Sequence, residues 1–90
     1  MRDEEFEWDD TKAASNFAKN RISFEMARAA FADPACVDSD DPDPDEERYK
    51  RLCMYSGRLL VVIYTERGRC IRIISARTAN KHDRRAYDNH

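Results

Sequence analysis

The segment Leu59 to Thr65 opens with five consecutive aliphatic residues, and this run most constrains the fold. Its β-branched content predicts a strand, and its lack of polar alternation predicts that both faces of the strand are covered. Arg48 to Met54 and Cys70 to Ala76 are also strand-like. Ser56-Gly57 and Arg67-Gly68 lie between these segments, where tight turns are needed. The sequence therefore predicts a three-stranded antiparallel meander with the aliphatic run as its central strand.

The segments before the meander carry one strand signal and two helix signals. Phe6-Glu7-Trp8 alternates aromatic and acidic residues, which is typical of a short edge strand. Asp9-Asp10 can cap a helix running to about Lys19, and Ser23 can cap a shorter helix ending before Asp33-Pro34. The expected buried residues are Ala13, Ala14, Phe17 and Ala18 in the first helix and Phe24, Ala27 and Phe31 in the second.

A helical pattern returns after the last predicted strand. From Thr78 onward, the residues spaced to face the sheet are Ala79, Ala86 and Tyr87. The order strand, helix, helix, meander, helix predicts an α+β fold. In it, a small antiparallel sheet, made of an N-terminal edge strand and the meander, packs against two N-terminal helices and a C-terminal helix.

The size of the chain and its rare residues exclude several classes of protein. Ninety residues predict a single domain, 1–90, because two would each be too small to fold without metals or disulfides. No apolar run could span a membrane, and the acidic start Met1–Glu5 is unlike a secretion signal, so we expect a cytoplasmic protein. Two glycines cannot build the common phosphate-binding loops. Three cysteines and two histidines lack zinc-site spacing, so we expect reduced cysteines, no metal and no cofactor.

Charge is segregated along the chain although the net charge is only -2. Residues 33–47 carry eight acids and no base, whereas residues 48–90 carry eleven bases and three acids. Within the acidic part, Pro42 and Pro44 lack amide donors and the like charges repel, so residues 38–47 are predicted to form an exposed loop. The basic part creates a local positive field that would attract an anion.

A series of different short motifs is spread along most of the chain. They are Phe6-Glu7-Trp8-Asp9 with Lys12, Asn16 and Lys19, Ile22-Ser23-Phe24-Glu25, Glu47-Arg48-Tyr49, Gly57 to Val62, Tyr64 to Gly68, Ile71 to Arg77, and Asp83-Arg84. Together they resemble the BrnT family of toxins from bacterial type II toxin–antitoxin systems. The resemblance implies a RelE-like fold, endoribonuclease activity and neutralisation by a BrnA-like antitoxin. That antitoxin is a ribbon-helix-helix protein, so RNA would be the substrate and DNA would be bound only through the antitoxin.

The connection between the first two helices departs from the family pattern. The family usually has Lys-His-Gly there, whereas this chain has Lys19-Asn20-Arg21. Loss of the imidazole would weaken activity if that group takes part in chemistry. Loss of the glycine changes the turn, because Arg21 resists the positive φ that glycine adopts freely.

Arginine is the residue type in this chain best suited to cleaving RNA without a metal. The 2′-hydroxyl beside the scissile phosphate can serve as the nucleophile, so a protein has to orient it, neutralise the phosphate oxygens and move protons. A guanidinium fork binds phosphate oxygens bidentately and stays charged. One well-placed donor of this kind is commonly worth about 3–4 kcal/mol.

Hairpin geometry sorts the arginines into two alternative clusters. With Arg67-Gly68 as a two-residue turn, facing residues have numbers summing to 135, so Arg58 faces Arg77 and Tyr64 faces Ile71. One cluster is then Arg58 and Arg77 with His82 and Arg84 of the following helix, and the other is Arg67 and Arg48. Both stay open as the active site. The predicted catalytic residues are Arg77, Arg67, Arg48 and His82, the predicted RNA phosphate ligands are Arg58 and Arg84, and His82 or Tyr87 would transfer protons.

Other interpretations compete with this one. Exposed arginines are often solvated or paired with acids, here Glu66 and Asp83, and Trp8 and Tyr87 fit core positions. The chain could be a silent family member that only binds its antitoxin, or a nucleic-acid-binding module without a partner, whose affinity would fall steeply with salt. The acidic segment could attract a basic antitoxin or serve only solubility.

Overall fold

Five strands form one sheet, and three helices pack on it. The computed structural model describes residues 1–90. In chain order the elements are β1 Phe6–Glu7, α1 Asp10–Asn20, α2 Phe24–Ala30, β2 Val37–Asp41, β3 Arg48–Tyr55, β4 Arg58–Arg67, β5 Cys70–Thr78 and α3 Lys81–Asp88. The strand order β1-β5-β4-β3-β2 confirms the aliphatic strand β4 as the central one. The α+β class is confirmed. The predicted antiparallel four-stranded sheet is wrong in detail, because β1 pairs parallel to β5 and β2 adds a fifth strand.

Side-chain caps begin both N-terminal helices, as predicted. The Asp9 carboxylate accepts a hydrogen bond from the Lys12 backbone amide at 3.0 Å, and the Ser23 hydroxyl accepts one from the Met26 amide at 3.0 Å. These caps satisfy amides that have no partner inside the helix. The predicted core stripe of α2 is confirmed, with Phe24 and Ala27 fully buried and Phe31 partly buried.

The predicted buried face of α1 is wrong except for Ala13, which is partly buried against the main core. Phe17 is 45% exposed, and Ala14 and Ala18 are exposed as well, whereas Asn16 is buried. Strand β1 pairs only with residues 71–72, so the outer edge of β5 beyond them has no neighbouring strand. The Asn16 amide takes that place, accepting from the Ala76 amide at 3.2 Å and donating to the Ala76 carbonyl at 2.9 Å. Because buried backbone groups require partners, this polar side of α1 faces the sheet.

The two faces of the sheet are covered differently. Helices α1 and α2 cover one face, where Trp8 and Phe24 pack with Leu60 and Val62 in the main core. Helix α3 covers part of the other face, where Tyr87 packs against a smaller cluster of Leu52, Leu59 and Val61. We call this second face the α3 face. The core positions predicted for Trp8 and Tyr87 are therefore confirmed, with Tyr87 only partly buried.

The acidic segment is not entirely a loop, which corrects the prediction for residues 38–47. Its first part is the edge strand β2, paired antiparallel with β3. The pairing sets acids opposite bases: Asp38 faces Arg51, with oxygen–nitrogen distances of 2.6 and 2.9 Å, and Asp41 faces Arg48. Opposite charges on facing residues stabilise a strand pair, and an edge strand tolerates the prolines that follow. Residues 42–47 form the loop.

The first hairpin turn is confirmed and the second is shifted. Ser56 and Gly57 have φ values of 49° and 77°, which fits the twist of a two-residue hairpin. The second turn is Gly68-Arg69 rather than Arg67-Gly68, since Arg67 pairs with Cys70. An irregularity between Ile63 and Tyr64 shifts the register once more. Consequently Arg77 faces Val61 instead of Arg58, and Tyr64 faces Ile73 instead of Ile71.

Helix α3 begins later than predicted, because Thr78 still belongs to β5. Asn80 and Asp83 form a reciprocal cap, each side chain accepting from the other's backbone amide. Ala79 and Tyr87 pack toward the sheet as expected, but Ala86 is exposed and Asp83 is buried instead. None of the three helices combines the length and apolar character that a membrane crossing requires.

Candidate functional site

A buried carboxylate on α3 joins two bases that stand on different strands. Asp83 is 1% exposed, and its oxygens lie 2.8 Å from Lys50 Nζ of β3 and 2.9 Å from Arg77 Nη1 of β5. Lys50 faces Ile63 and Arg77 faces Val61, so both bases rise from neighbouring rows of the α3 face. The three residues form one charged cluster, which we call the Asp83 cluster.

The Asp83 carboxylate stays ionised. Burial acts to raise its pKa, but hydrogen bonds from Lys50, from the Asn80 backbone amide and from Arg77 outweigh burial and hold the pKa well below the ordinary 3.8. Two cations therefore share one fixed anion, and the cluster keeps a net positive charge.

The ion pair orients Arg77 without exhausting its donors. Nη1 donates to Asp83 and, at 3.3 Å, to the Thr78 carbonyl. Nη2 and Nε make no hydrogen bond within the protein, and the side chain is 42% exposed. A guanidinium has five donors in a rigid fork, so Arg77 retains the donors of Nη2 and Nε for an external anion.

A shallow groove of about 440 Å³ runs between α1 and β5 and ends at Arg77. Lys12, Ser15 and Lys19 follow one face of α1 at helical spacing, and they line the groove. No carboxylate is among its lining residues, which are Lys12, Ser15, Asn16, Lys19, Asn20, Ile74, Ser75 and Arg77. We call it the basic groove. Its three cations and two hydroxyls give it the chemistry of an anion site.

Amide hydrogen bonds fix the floor of the basic groove. Asn16 Nδ2 donates to the Ile22 and Ala76 carbonyls at 2.9 Å each. Asn20 Nδ2 donates to Asn16 Oδ1 at 3.1 Å and to the Ala76 carbonyl at 3.2 Å. These bonds hold α1 against β5 at the residue preceding Arg77. Asn20 therefore lines the groove, but its amide is already engaged.

Arg21 ends α1 in the left-handed conformation. Its φ is 59° and its backbone amide donates to the Phe17 carbonyl at 2.8 Å. This conformation favours glycine, yet Arg21 adopts it, so the expected avoidance of positive φ is wrong. The Arg21 guanidinium lies 5.7 Å from the centre of the exposed Phe17 ring, outside the basic groove.

The second predicted cluster, Arg67 and Arg48, does not form an open site. Tyr49 pairs with Tyr64, so the expected return of β3 toward residue 65 is confirmed. However, Arg48 Nη1 lies 2.8 Å from Asp43, and its Nε lies 3.3 Å from Asp41 without a hydrogen bond. The acids of β2 and of the following loop therefore hold this guanidinium. Arg67 is exposed at the end of β4 and makes no ion pair.

The remaining predicted residues are not joined to Arg77. Arg58, His82 and Arg84 are exposed, and no hydrogen bond or ion pair connects any of them to Arg77. Arg77 faces Val61, so the register of β4 and β5 separates Arg58 from Arg77. Tyr87 donates its hydroxyl to Asp33 at 2.7 Å, and this bond together with burial raises the pKa of Tyr87 to about 12. That phenol is engaged in holding α3 and is poorly suited to proton transfer near neutral pH.

Sequence reasoning missed Lys50, Lys12 and Lys19 as site residues. For the two α1 lysines a signal existed, since residues 12, 15 and 19 are polar at helical spacing while the apolar residues take another side. For Lys50 no local signal existed, because only the strand register and the position of α3 bring it to Asp83. Asp83 and Glu66 were expected as partners of exposed arginines; Asp83 pairs with Arg77, whereas Glu66 makes no ion pair.

The comparison with protein families gives one result. A sequence model described as the ribonuclease toxin BrnT of a type II toxin–antitoxin system matches residues 8–83, which is more than four-fifths of the chain. The match includes α1, every strand except β1, and Asp83. No curated protein sequence matches the chain. No group of three or more His, Cys, Asp or Glu side chains is placed to share a metal ion.

Proposed function

The chain belongs to the BrnT family of ribonuclease toxins of type II toxin–antitoxin systems, and on that premise we propose that it cleaves RNA in the basic groove, with Arg77 as the principal phosphate ligand. The observation that carries the proposal is the state of Arg77. Its guanidinium is oriented by a buried carboxylate, yet Nη2 and Nε remain free at the end of a groove without acids.

In this proposal the RNA backbone follows α1. Lys12 and Lys19 would bind flanking phosphates, and Ser15 and Ser75 would donate to phosphate or ribose oxygens. Arg77 would hold the scissile phosphate and stabilise the charge that develops as the 2′-hydroxyl attacks. Such a reaction needs no covalent intermediate on the protein. Arg84 and Arg58, which are exposed, would contact more distant phosphates.

Asp83 acts as a positioning residue in this mechanism. By accepting from Nη1, Asp83 fixes the plane of the Arg77 guanidinium. Lys50 binds the other oxygen of the same carboxylate. We assign proton transfer to His82, which precedes Asp83 in the first turn of α3 and whose exposed ring is not engaged in any ion pair. We propose Arg67 and Arg48 as catalytic residues only after Arg77, since Arg48 is held by Asp41 and Asp43.

Family membership also implies an antitoxin. We propose a BrnA-like ribbon-helix-helix partner that acts in the cytoplasm and carries the DNA binding of the pair. The acidic loop 42–47 is exposed and would attract basic residues of that partner.

A second candidate function is a silent member that binds antitoxin without cleaving RNA. It is favoured by Asn20, which stands where the family has histidine and whose amide is committed to Asn16 and Ala76. Restoring the pattern with Asn20→His and Arg21→Gly separates the two functions. A gain of cleavage from a zero background supports the silent member, whereas cleavage by the unmodified chain excludes it.

The decisive experiment measures cleavage of single-stranded RNA by the purified chain, with and without a chelator. We expect cleavage that is unaffected by the chelator and reduced about 10²- to 10³-fold in Arg77→Ala. Arg85→Ala is the matched control, because Arg85 is an exposed arginine on α3 outside the groove. Full activity in Arg77→Ala would remove the site assignment, and growth arrest on expression gives the same comparison in cells.

A further inference from the structure

Two thiols face each other across the outermost strand pair of the sheet. Cys36 precedes β2, and the pairing of Val37 with Leu52, continued by one residue, sets Cys36 opposite Cys53. Their sulfurs are 2.9 Å apart. We propose that Cys36 and Cys53 are a modification site: a low-molecular-weight disulfide such as glutathione disulfide converts them into an intramolecular disulfide that fastens the acidic edge hairpin to the sheet.

The backbone geometry suits such a bond. Facing residues of an antiparallel pair have Cα atoms about 4.5–5.5 Å apart, which lies inside the range of about 4.4–6.8 Å that disulfides span. Cys70, the third cysteine, is excluded from the pair because β4 separates β5 from β3. Its sulfur instead lies 3.4 Å from the Asp3 carbonyl. Cys36 and Cys53 are therefore the one pair of cysteines placed to form a disulfide. Cys70 serves as the internal control for nonspecific oxidation.

The difference in burial sets the order of the reaction. Cys36 is partly exposed, whereas Cys53 is fully buried. The Cys36 thiolate attacks glutathione disulfide, forming a mixed disulfide and releasing one glutathione. The Cys53 thiolate then attacks the Cys36 sulfur and releases the second glutathione. Two thiols lose two protons and two electrons, and glutathione disulfide is reduced to two glutathiones. Burial raises the pKa of both thiols, so the exchange is slow at neutral pH and faster at higher pH.

The bond would close a loop that contains β2 and residues 42–47. This loop carries Asp41 and Asp43, the acids that hold Arg48. Strand β2 has no neighbouring strand on its outer side, so a covalent link at its start limits its detachment from β3. The inference does not depend on ribonuclease activity.

Mass spectrometry of the full chain after incubation with glutathione disulfide at pH 8 tests the proposal. We expect a loss of two hydrogens and a tryptic link between peptides 29–48 and 52–58. Cys70→Ser should give the same link, and Cys36→Ser should not. A glutathione adduct that never resolves, a link involving Cys70, a link between two chains, or no reaction would each overturn the proposal.

Thermal unfolding of the unmodified sequence, with Cys36 and Cys53 reduced or oxidised, tests whether the disulfide stabilises the attachment of β2 to β3. This test needs no variant. We expect the oxidised chain to unfold roughly 10–20 °C above the reduced chain, and the shift to disappear on addition of a reductant. Equal unfolding temperatures in a chain shown to carry the Cys36–Cys53 link would refute the claim that it fastens the hairpin.

Discussion

Replacing Asp83 by asparagine tests whether the Asp83 cluster holds α3 and Arg77 in place. Asparagine keeps the shape of the side chain and its oxygen can still accept from the Asn80 amide. The change removes the charge and replaces the oxygen that faces Lys50 with an amide donor. The carboxylate makes charge-assisted bonds to Lys50 and Arg77, and such bonds are worth about 1.5–3 kcal/mol each. Both bases reach water, with side chains 26% and 42% exposed. The two bonds sum to about 3–6 kcal/mol, and solvent screening of the exposed bases lowers the expected loss to about 2–3 kcal/mol.

For a chain of this size, that loss corresponds to a fall in unfolding temperature of roughly 10–20 °C. The free energy of unfolding is measured by urea denaturation at neutral pH. Asp88→Asn is the control, because Asp88 is an exposed carboxylate at the end of the same helix and makes no ion pair. A double-mutant cycle with Arg77→Met should show that the two losses do not add, because both changes remove the same bond.

The pH dependence gives the stricter test of the same prediction. The pKa of Asp83 is lowered in the folded chain below its ordinary 3.8. Its contribution is therefore fully present above about pH 5 and is lost as the pH falls through 3.8 toward the folded value. The gap in stability between the unmodified chain and Asp83→Asn should narrow between pH 5 and pH 2. A gap that stays constant over this range, or a variant as stable as the parent, would refute the reasoning.

Three single substitutions test other parts of the structure. Arg21→Gly should raise the free energy of unfolding by about 1 kcal/mol, because Arg21 has a φ of 59°; an unchanged urea midpoint would contradict this. Tyr87→Phe should cost about 1–2 kcal/mol of stability by removing the bond to Asp33 while leaving RNA cleavage intact, and reduced cleavage in a folded variant would return Tyr87 to the reaction. Lys12→Ala should weaken RNA binding and lower the slope of log affinity against log salt by about 0.7, measured by fluorescence anisotropy; an unchanged slope would place the RNA elsewhere.

Much of the fold was predictable because it depends on local patterns. The caps Asp9 and Ser23, the turn at Ser56-Gly57 and the aliphatic strand each act within a few residues. The edge strand β2 was not predictable in this way. Its run of acids disfavours a strand because like charges repel. The repulsion is offset only because β3 sets Arg51 opposite Asp38 and Arg48 opposite Asp41.

The face of α1 shows a second limit. Periodicity assigned Phe17 to the core, because apolar spacing is the usual signal of burial. The decisive requirement was the outer edge of β5, where the backbone at Ala76 needed partners that β1 is too short to supply. Asn16 meets that need, and no pattern in α1 alone reveals which strand edge lies beside it.

The sequence by itself determined the family, the α+β class and the order of most elements. Only the tertiary structure decided which groups meet Arg77. A one-residue shift of the turn to Gly68-Arg69 and the irregularity after Ile63 removed Arg58 from its side. The same register, with the docking of α3, brought Lys50 and Asp83 to it. Strand register depends on many contacts between residues that are far apart in the sequence. A shift of a single residue moves every side chain of the strand to the opposite face. The composition of a site on a sheet is therefore fixed by pairing between strands and not by any one strand's sequence.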